Sequence, residues 1–390
     1  RDAHTYLNFS FYYYTILSMK MTASDNRFII LPILFLLIYI FAAAVPLGSD
    51  IYLKPIWVHT ITPDTAQAEL EGIDGETETI EKQVAAEQFA GKTPKVFLTE
   101  SRFGYFTADG ELLRSSPVTQ RISASSSAWT EYGNDAVKTP IYRPDGSLIT
   151  AIDEQGFVYI DEDRFYLFEP GGSAVKQYDT EGKPLWRYAH TAPITAFHST
   201  EGGVIIGCSD GKLAALNPAG DVLFDFYPGG SDYQVILGAA LSSDGRLAAC
   251  VCGIDRQRVL LIRIDGNKYK IVHHRYLEGN LRRQVFVDFD IKGGNAVFEC
   301  AEGIGFIDCN RLISGIMPQH GTVISGGQNP YKNIMAVISR QEQRSTLSFI
   351  EAPAYVVGKT TFPSKNTFMV QERETIFLAT DTKLARIDIK

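Results

Sequence analysis

The residues best suited to bind a metal or attack an electrophile are five cysteines and seven histidines. The thiols are Cys208, Cys250, Cys252, Cys300 and Cys309. An odd number cannot pair fully within one chain. Cys250-Val-Cys252 puts two thiols on one face of a predicted strand, whereas zinc and redox motifs usually leave a two-residue gap. Cys208, Cys250 and Cys300 each fall late in a short apolar run, which predicts small core residues at one repeated structural position. His273 and His274 are adjacent on a predicted strand, so their rings face opposite sides and cannot share one ion. His190 and His198 flank a turn and a strand without a third ligand. Eight carboxylates lie between Asp64 and Glu87, but they lack the Asp-x-Asp-x-Asp-Gly spacing of a calcium loop. No Gly-x-Ser-x-Gly elbow is present. Gly293-Gly294 and Gly326-Gly327 precede no helix that would receive a phosphate. The expectation is therefore no catalytic residue, no metal site and no cofactor.

The elements that would position any site are strands. From Lys95 to the end, short runs of Val, Ile, Leu, Phe and Tyr alternate with tight turns. The turns include Asp109-Gly110, Asp145-Gly146, Glu181-Gly182, Asp210-Gly211, Asp244-Gly245 and Asp265-Gly266. Asp-Gly between apolar runs marks a hairpin, because glycine accepts the positive φ the turn needs. One unit reads cleanly as four strands: Ile194 to Phe197, Gly203 to Cys208, Leu213 to Asn217 and Val222 to Tyr227. Four antiparallel strands in about 35–45 residues is the size of one propeller blade. Comparable units follow it to the C-terminus, and two are counted before Tyr188. The predicted fold is all-β: a β-propeller of about seven four-stranded blades over residues 95–390, preceded by one transmembrane helix.

Two phrases carry a more specific resemblance. Lys212-Leu-Ala-Ala-Leu-Asn-Pro-Ala-Gly-Asp-Val-Leu-Phe-Asp-Phe226 and Gln177-Tyr-Asp-Thr-Glu-Gly-Lys-Pro-Leu-Trp-Arg-Tyr188 resemble the repeat of quinoprotein-type and WD40-like β-propellers. The resemblance implies a fold and not an activity.

The membrane helix is expected from residues 28–47, an uncharged apolar run long enough to span about 30 Å. Phe28, Ile29, Leu34, Leu37, Ile40 and Phe41 are its predicted anchoring residues. Lys20 and Arg27 precede the run, so the positive-inside rule puts residues 1–27 in the cytoplasm. The large domain then lies outside the cytoplasmic (inner) membrane of a single-pass protein. A cleaved signal peptide is the competing reading, with Ala42-Ala43-Ala44 at the cut. The chain does not start with Met, and residues 1–18 have the look of an upstream extension before Met19. Residues 48–94 are read as a closing strand followed by an acidic linker, with a short helix near Glu81 to Phe89.

Closure of the ring is the sharpest expectation. Lys54-Pro-Ile-Trp57 matches Lys183-Pro-Leu-Trp186, the fourth strand of an internal blade. Residues 56–61, with Ile56, Trp57 and Val58, are therefore expected to pair with the last strand at Leu384 and Ile387, burying Trp57 between blades. A headgroup anchor at Trp57 is the alternative.

The net charge of −8 and the absence of clustered Lys and Arg exclude a nucleic-acid partner. The functional expectation is a non-enzymatic, membrane-anchored scaffold for protein partners, a role that similar extracytoplasmic propellers play in envelope protein assembly. The alternatives are a quinoprotein-like oxidoreductase and a small-ligand or glycan sensor using the central funnel. Against the oxidoreductase, the chain has three Trp and no matching calcium triad or vicinal Cys-Cys pair.

Overall fold

The computed structural model describes residues 32–37, 52–61, 87–327, 330–331, 333–351 and 354–390. The chain divides into two units, Arg1–Asp50 and Ile51–Lys390.

In the first unit the described residues form one short helix, 32–37, with exposed side chains that include Leu34 and Leu37. Six helical residues rise about 9 Å, far short of a bilayer. Among the described residues no helix is long and apolar enough to cross a membrane, which corrects the expected transmembrane element of the fold. Phe28, Ile29, Ile40 and Phe41 lie outside the described residues, as does most of the acidic linker.

The second unit is built from strands joined by the glycine turns. β1 (Leu53–Thr60) comes first. Blade 1 contains β2 (Lys95–Leu98), β3 (Arg102–Phe106) and β4 (Leu112–Pro117). Blade 2 contains β5 (Arg121–Ala124), β6 (Trp129–Tyr132), β7 (Thr139–Tyr142) and β8 (Leu148–Ile152). Blade 3 contains β9 (Phe157–Asp161), β10 (Arg164–Phe168), β11 (Ala174–Tyr178) and β12 (Pro184–Ala189). Blade 4 runs through β13 (Ile194–Thr200), β14 (Gly203–Cys208), β15 (Leu213–Leu216) and β16 (Val222–Phe226). Blade 5 runs through β17 (Ile236–Leu241), β18 (Leu247–Cys252), β19 (Arg258–Asp265) and β20 (Lys268–Tyr276). Blade 6 has β21 (Val287–Phe289), β22 (Asn295–Cys300), β23 (Gly303–Asp308) and β24 (Ile313–Pro318). Blade 7 has β25 (Thr322–Gly326), β26 (Ile334–Gln341), β27 (Arg344–Glu351) and β28 (Tyr355–Pro363). Blade 8 takes β29 (Thr367–Glu372), β30 (Thr375–Thr380) and β31 (Lys383–Ile389), and β1 completes it.

The ring therefore has eight blades rather than about seven. The additional blade lies before Tyr188, where residues 95–189 hold three sheets instead of the expected two. Several strands there have only four residues, so their apolar runs are too short to stand out as separate units.

The core is not one central mass. Eight apolar clusters each bridge two neighbouring blades. Val204, Ile206 and Cys208 of blade 4 pack on Tyr166, Phe168 and Val175 of blade 3. Phe97 and Phe106 of blade 1 meet Phe377, Ala379 and Leu384 of blade 8. Each sheet thus buries both of its faces, and this is why middle strands such as β14 and β22 are buried at every position.

At the seam between blades 8 and 1, β1 lies antiparallel to β31. Trp57 stands opposite Arg386, Val58 opposite Ala385, and His59 opposite Leu384. Pro55 is opposite Ile387, and Ile56 is the extra residue of a bulge. The ladder continues at both ends, with Tyr52 N–H donating to Lys390 O (3.0 Å) and Ile61 N–H to Thr382 O (2.8 Å). Trp57 Nε1 donates to Ala108 O at 3.2 Å, and its ring packs against Phe106 and Phe377. Trp57 and Trp186 are both half-buried rather than largely buried, because each indole lies in a seam at the outer strand, where one edge meets solvent.

Candidate functional site

Two chambers are lined by the inner strands of the blades. One is a cavity of about 380 Å³ formed by β9, β13, β17 and β21. Its wall is mostly apolar and aromatic, with Phe157, Tyr159, Phe197 and Phe286. Two of its polar side chains, His198 and Gln284, are already engaged. His198 Nδ1 accepts the Leu241 N–H at 3.2 Å, its Nε2 lies 3.4 Å from Asp288, and Gln284 Nε2 donates to Thr195 O at 2.7 Å. The second chamber, about 720 Å³, is lined by residues of β2, β5, β9 and β29. Tyr159 borders both chambers. Desolvation by the surrounding groups, reinforced by Asp161, raises its phenol pKa above the ordinary value, although the side chain is 36% exposed.

A second constellation sits in the loops of blades 4 to 6. The loop after β16 carries Tyr227 and Tyr233, the loop after β18 carries Asp255 and Arg256, and β20 ends at Tyr276. Asp255 ties these loops together. Its carboxylate accepts the Ser231 hydroxyl and the N–H groups of Tyr233 (3.2 Å) and Asp232 (3.3 Å), while its backbone carbonyl accepts Asn280 Nδ2 at 3.0 Å. The Ser231 hydrogen bond, followed by those backbone donors, holds the carboxyl well below the usual carboxylate range. Gln257, fully buried, exchanges two hydrogen bonds with Leu281. On this rigid base Tyr227, Tyr233 and Tyr276 remain 50%, 67% and 43% exposed. The Arg256 guanidinium lies 4.9 Å from the Tyr276 ring centroid, a cation–π distance.

The third ligand that sequence reasoning did not find for His190 is supplied by the turn after β14. His190, Cys208 and Asp210 bring one ligand atom each within 4.8 Å of one another. The geometry suits a hydrogen-bonded clamp better than an ion. His190 Nε2 is 2.7 Å from Asp210 Oδ2, whereas two ligands on tetrahedral zinc stand about 3.3 Å apart, given bonds of about 2 Å. Tyr227 also donates to that oxygen at 3.2 Å. Burial pushes the Cys208 thiol up to about 11, so it is protonated at neutral pH.

All five cysteines are free and buried. Cys208 and Cys252 are the equivalent pair, each ending the second strand of its blade and facing the first residue of the inner strand, Ile194 and Ile236 respectively. The repeated position was expected at Cys250, which lies two residues earlier.

Comparison with known proteins places the fold. A family described as β-propeller protein matches residues 19–390. This chain belongs to that family. The chain is 44% identical over 375 residues to an uncharacterised protein of Treponema pallidum (strain Nichols), covering 96% of this chain and 97% of the relative. It is also similar to the crystal structure of BamB from Moraxella catarrhalis, with a TM-score of 0.52 and 9% identity, over 76% of this chain and 94% of that one. At that identity the likeness is one of fold. The quinoprotein or WD40 character expected of the propeller is a finer assignment than these matches reach.

Proposed function

We propose that the propeller is a non-enzymatic scaffold that binds a protein partner through the loop face of blades 4 to 6. The observation that carries this reading is the set of exposed Tyr227, Tyr233, Tyr276 and Arg256 on loops locked by Asp255 and Gln257. Tyrosine and arginine dominate the energetics of protein interfaces. A pre-ordered base lowers the entropy lost when they engage. The setting implied by the resemblance to other propellers is envelope protein assembly outside the cytoplasm, and that part of the proposal rests on the resemblance alone.

Affinity capture with the wild-type chain and with Tyr233→Ala/Tyr276→Ala, followed by quantitative mass spectrometry, tests the reading. A partner retained at least about tenfold better by the wild type supports it. Equal recovery by both proteins, with unchanged folding, would remove the loop face from consideration.

A further inference from the structure

The cavity walled by β9, β13, β17 and β21 holds aromatic rings that are only partly covered. Phe157 and Tyr159 stand two residues apart on β9, so they share one face of that strand, and they stay 38% and 36% exposed. The Phe157 ring lies flat on Phe168, with centroids 4.4 Å apart and planes at 3°. One of its faces is therefore covered, and the other is open to the cavity it lines. Phe197 stands nearly at right angles to both Phe168 (5.0 Å) and Tyr159 (5.7 Å). The opposite wall is pinned between blades. The Thr195 hydroxyl donates to Ile236 O at 2.6 Å, and the Val285 N–H donates to Leu237 O at 3.0 Å. Thr195 and Leu237 are the extra residues of bulges in β13 and β17, and both line the cavity. Bulges are common beside binding sites, where they re-aim a side chain. Bonds among blades 4, 5 and 6 thus shape this wall before any ligand arrives.

Its charge is as informative as its shape. No Lys, Arg, Asp or Glu lines it. His198, its one histidine, is turned to the Leu241 N–H and to Asp288. A charged ligand would leave water here without a counter-ion, which is costly. The Tyr159 hydroxyl makes no hydrogen bond among the described residues, so it is free to donate to an oxygen of a ligand. The chain's own acidic segment does not answer this description. From Asp64 to Glu87 it has eight carboxylates and no Phe, Tyr or Trp.

We infer that this cavity binds a small, flat, uncharged ring compound that carries one hydroxyl or carbonyl oxygen. The ring stacks on the open face of Phe157, and its oxygen accepts the Tyr159 O–H. The volume of about 380 Å³ lies within the roughly 300–1,000 Å³ of small-molecule sites, which are mostly apolar with few polar groups that fix orientation. A sugar fits less well, because its many hydroxyls would face Phe, Val and Leu side chains without partners. The site does not use the tyrosine loops, and the scaffold reading does not require it.

The test is calorimetric titration of the full chain with 2-naphthol at neutral pH, beside three comparison probes. Naphthalene lacks the hydroxyl, 2-naphthoate carries a charge, and decahydro-2-naphthol is not flat. Saturable binding of one 2-naphthol per chain is expected, with 2-naphthoate and decahydro-2-naphthol each weaker by about tenfold or more. Phe157→Ala, at a partly exposed position, should weaken 2-naphthol about tenfold, with a circular dichroism melt to verify folding. Tyr159→Phe should weaken 2-naphthol about fivefold and leave naphthalene unchanged, a split that a merely structural role would not give. Should Phe157→Ala fold poorly, that split decides. Tyr355→Ala removes a 66% exposed aromatic from the outer strand β28 and should change nothing. Weaker binding there would mean that exposed aromatics in general hold the probe, and would overturn the inference. So would no saturable binding, equal affinity for 2-naphthoate or decahydro-2-naphthol, or undiminished binding by a folded Phe157→Ala. None of these variants touches the loop face, so the two proposals fail separately.

Discussion

Asp255 shows how much one side chain can organise. Its carboxylate has three donors from one loop, and its depressed pKa is the signature of that capture. A folded-state pKa below the unfolded value of about 3.9 stabilises the protein fully above that pH, and the benefit fades as acid brings the pH down through the folded value. The melting-temperature gap between wild type and Asp255→Ala should therefore stay constant above about pH 5 and narrow below about pH 4. A gap that widens in acid would contradict the assignment. Glu299 is a different case. It is 2% exposed, receives Arg283 at 2.6 and 2.9 Å, and also accepts the Val323 N–H of blade 7 at 3.0 Å. Arg283→Met would strand a buried carboxylate and should cost about 3 kcal/mol in urea unfolding. Adding Glu299→Gln should recover part of that loss.

Among the elements, the outer hairpin is the unit that repeats most faithfully. Gly220 has φ +88°, and a Cβ there would fall 2.4 Å from the Trp186 ring. Gly220→Ala should therefore cost about 2 kcal/mol or more, combining left-handed strain with the clash. In a Trp186→Gly background the three nearest contacts, all on that side chain, are removed and the strain stays. The double variant should thus be more stable than additivity predicts by about 1 kcal/mol, measured in a thermal double-mutant cycle. This hairpin also explains what the sequence revealed and what it concealed. The Asp-Gly and Glu-Gly turns are visible directly, since positive φ restricts the residue choice. The phrase Gly-x-x-Leu or Gly-x-x-Ile occurs at Gly110, Gly146, Gly182 and Gly220, with the bulged residue three positions on. Three of these fourth-strand signals precede Tyr188 and mark three blades. Counting strands instead of turns gave two, because four-residue strands such as β6 and β7 blur into their surroundings. The two Lys-Pro-x-Trp phrases were comparable by eye, and both carry the bulge at the residue before Trp. The Asp255 loop cluster had no sequence signal, since its partners come from three loops joined by hydrogen bonds. The His190, Cys208 and Asp210 trio was obscured because each residue had been assigned to a separate turn or strand.

For the whole molecule, stability is distributed around a ring of eight apolar seams, and no single blade has a core of its own. Breaking one seam opens two blade faces and a sheet edge at once. A chain that starts at residue 63 lacks β1, so β31 loses its partner and the seam of blades 8 and 1 loses Trp57 and Ile61. Its melting temperature should fall by about 10 °C or more relative to the chain retaining residues 51–62. Equal melting temperatures would mean that β1 is an ornament on a ring already closed.

The pairing of Leu53 with Ile389 also fixes an order of events in time. During synthesis the first strand of the ring leaves the ribosome long before its partner exists. At about 5–20 residues per second the interval is roughly 17 to 67 seconds. Throughout it β1 waits with both edges open, and blades 1 to 7 can assemble while blade 8 cannot. The ring is therefore sealed only once Lys383–Ile389 has emerged, and a ribosome stalled before that point leaves an open arc whose first strand is free to pair with another molecule.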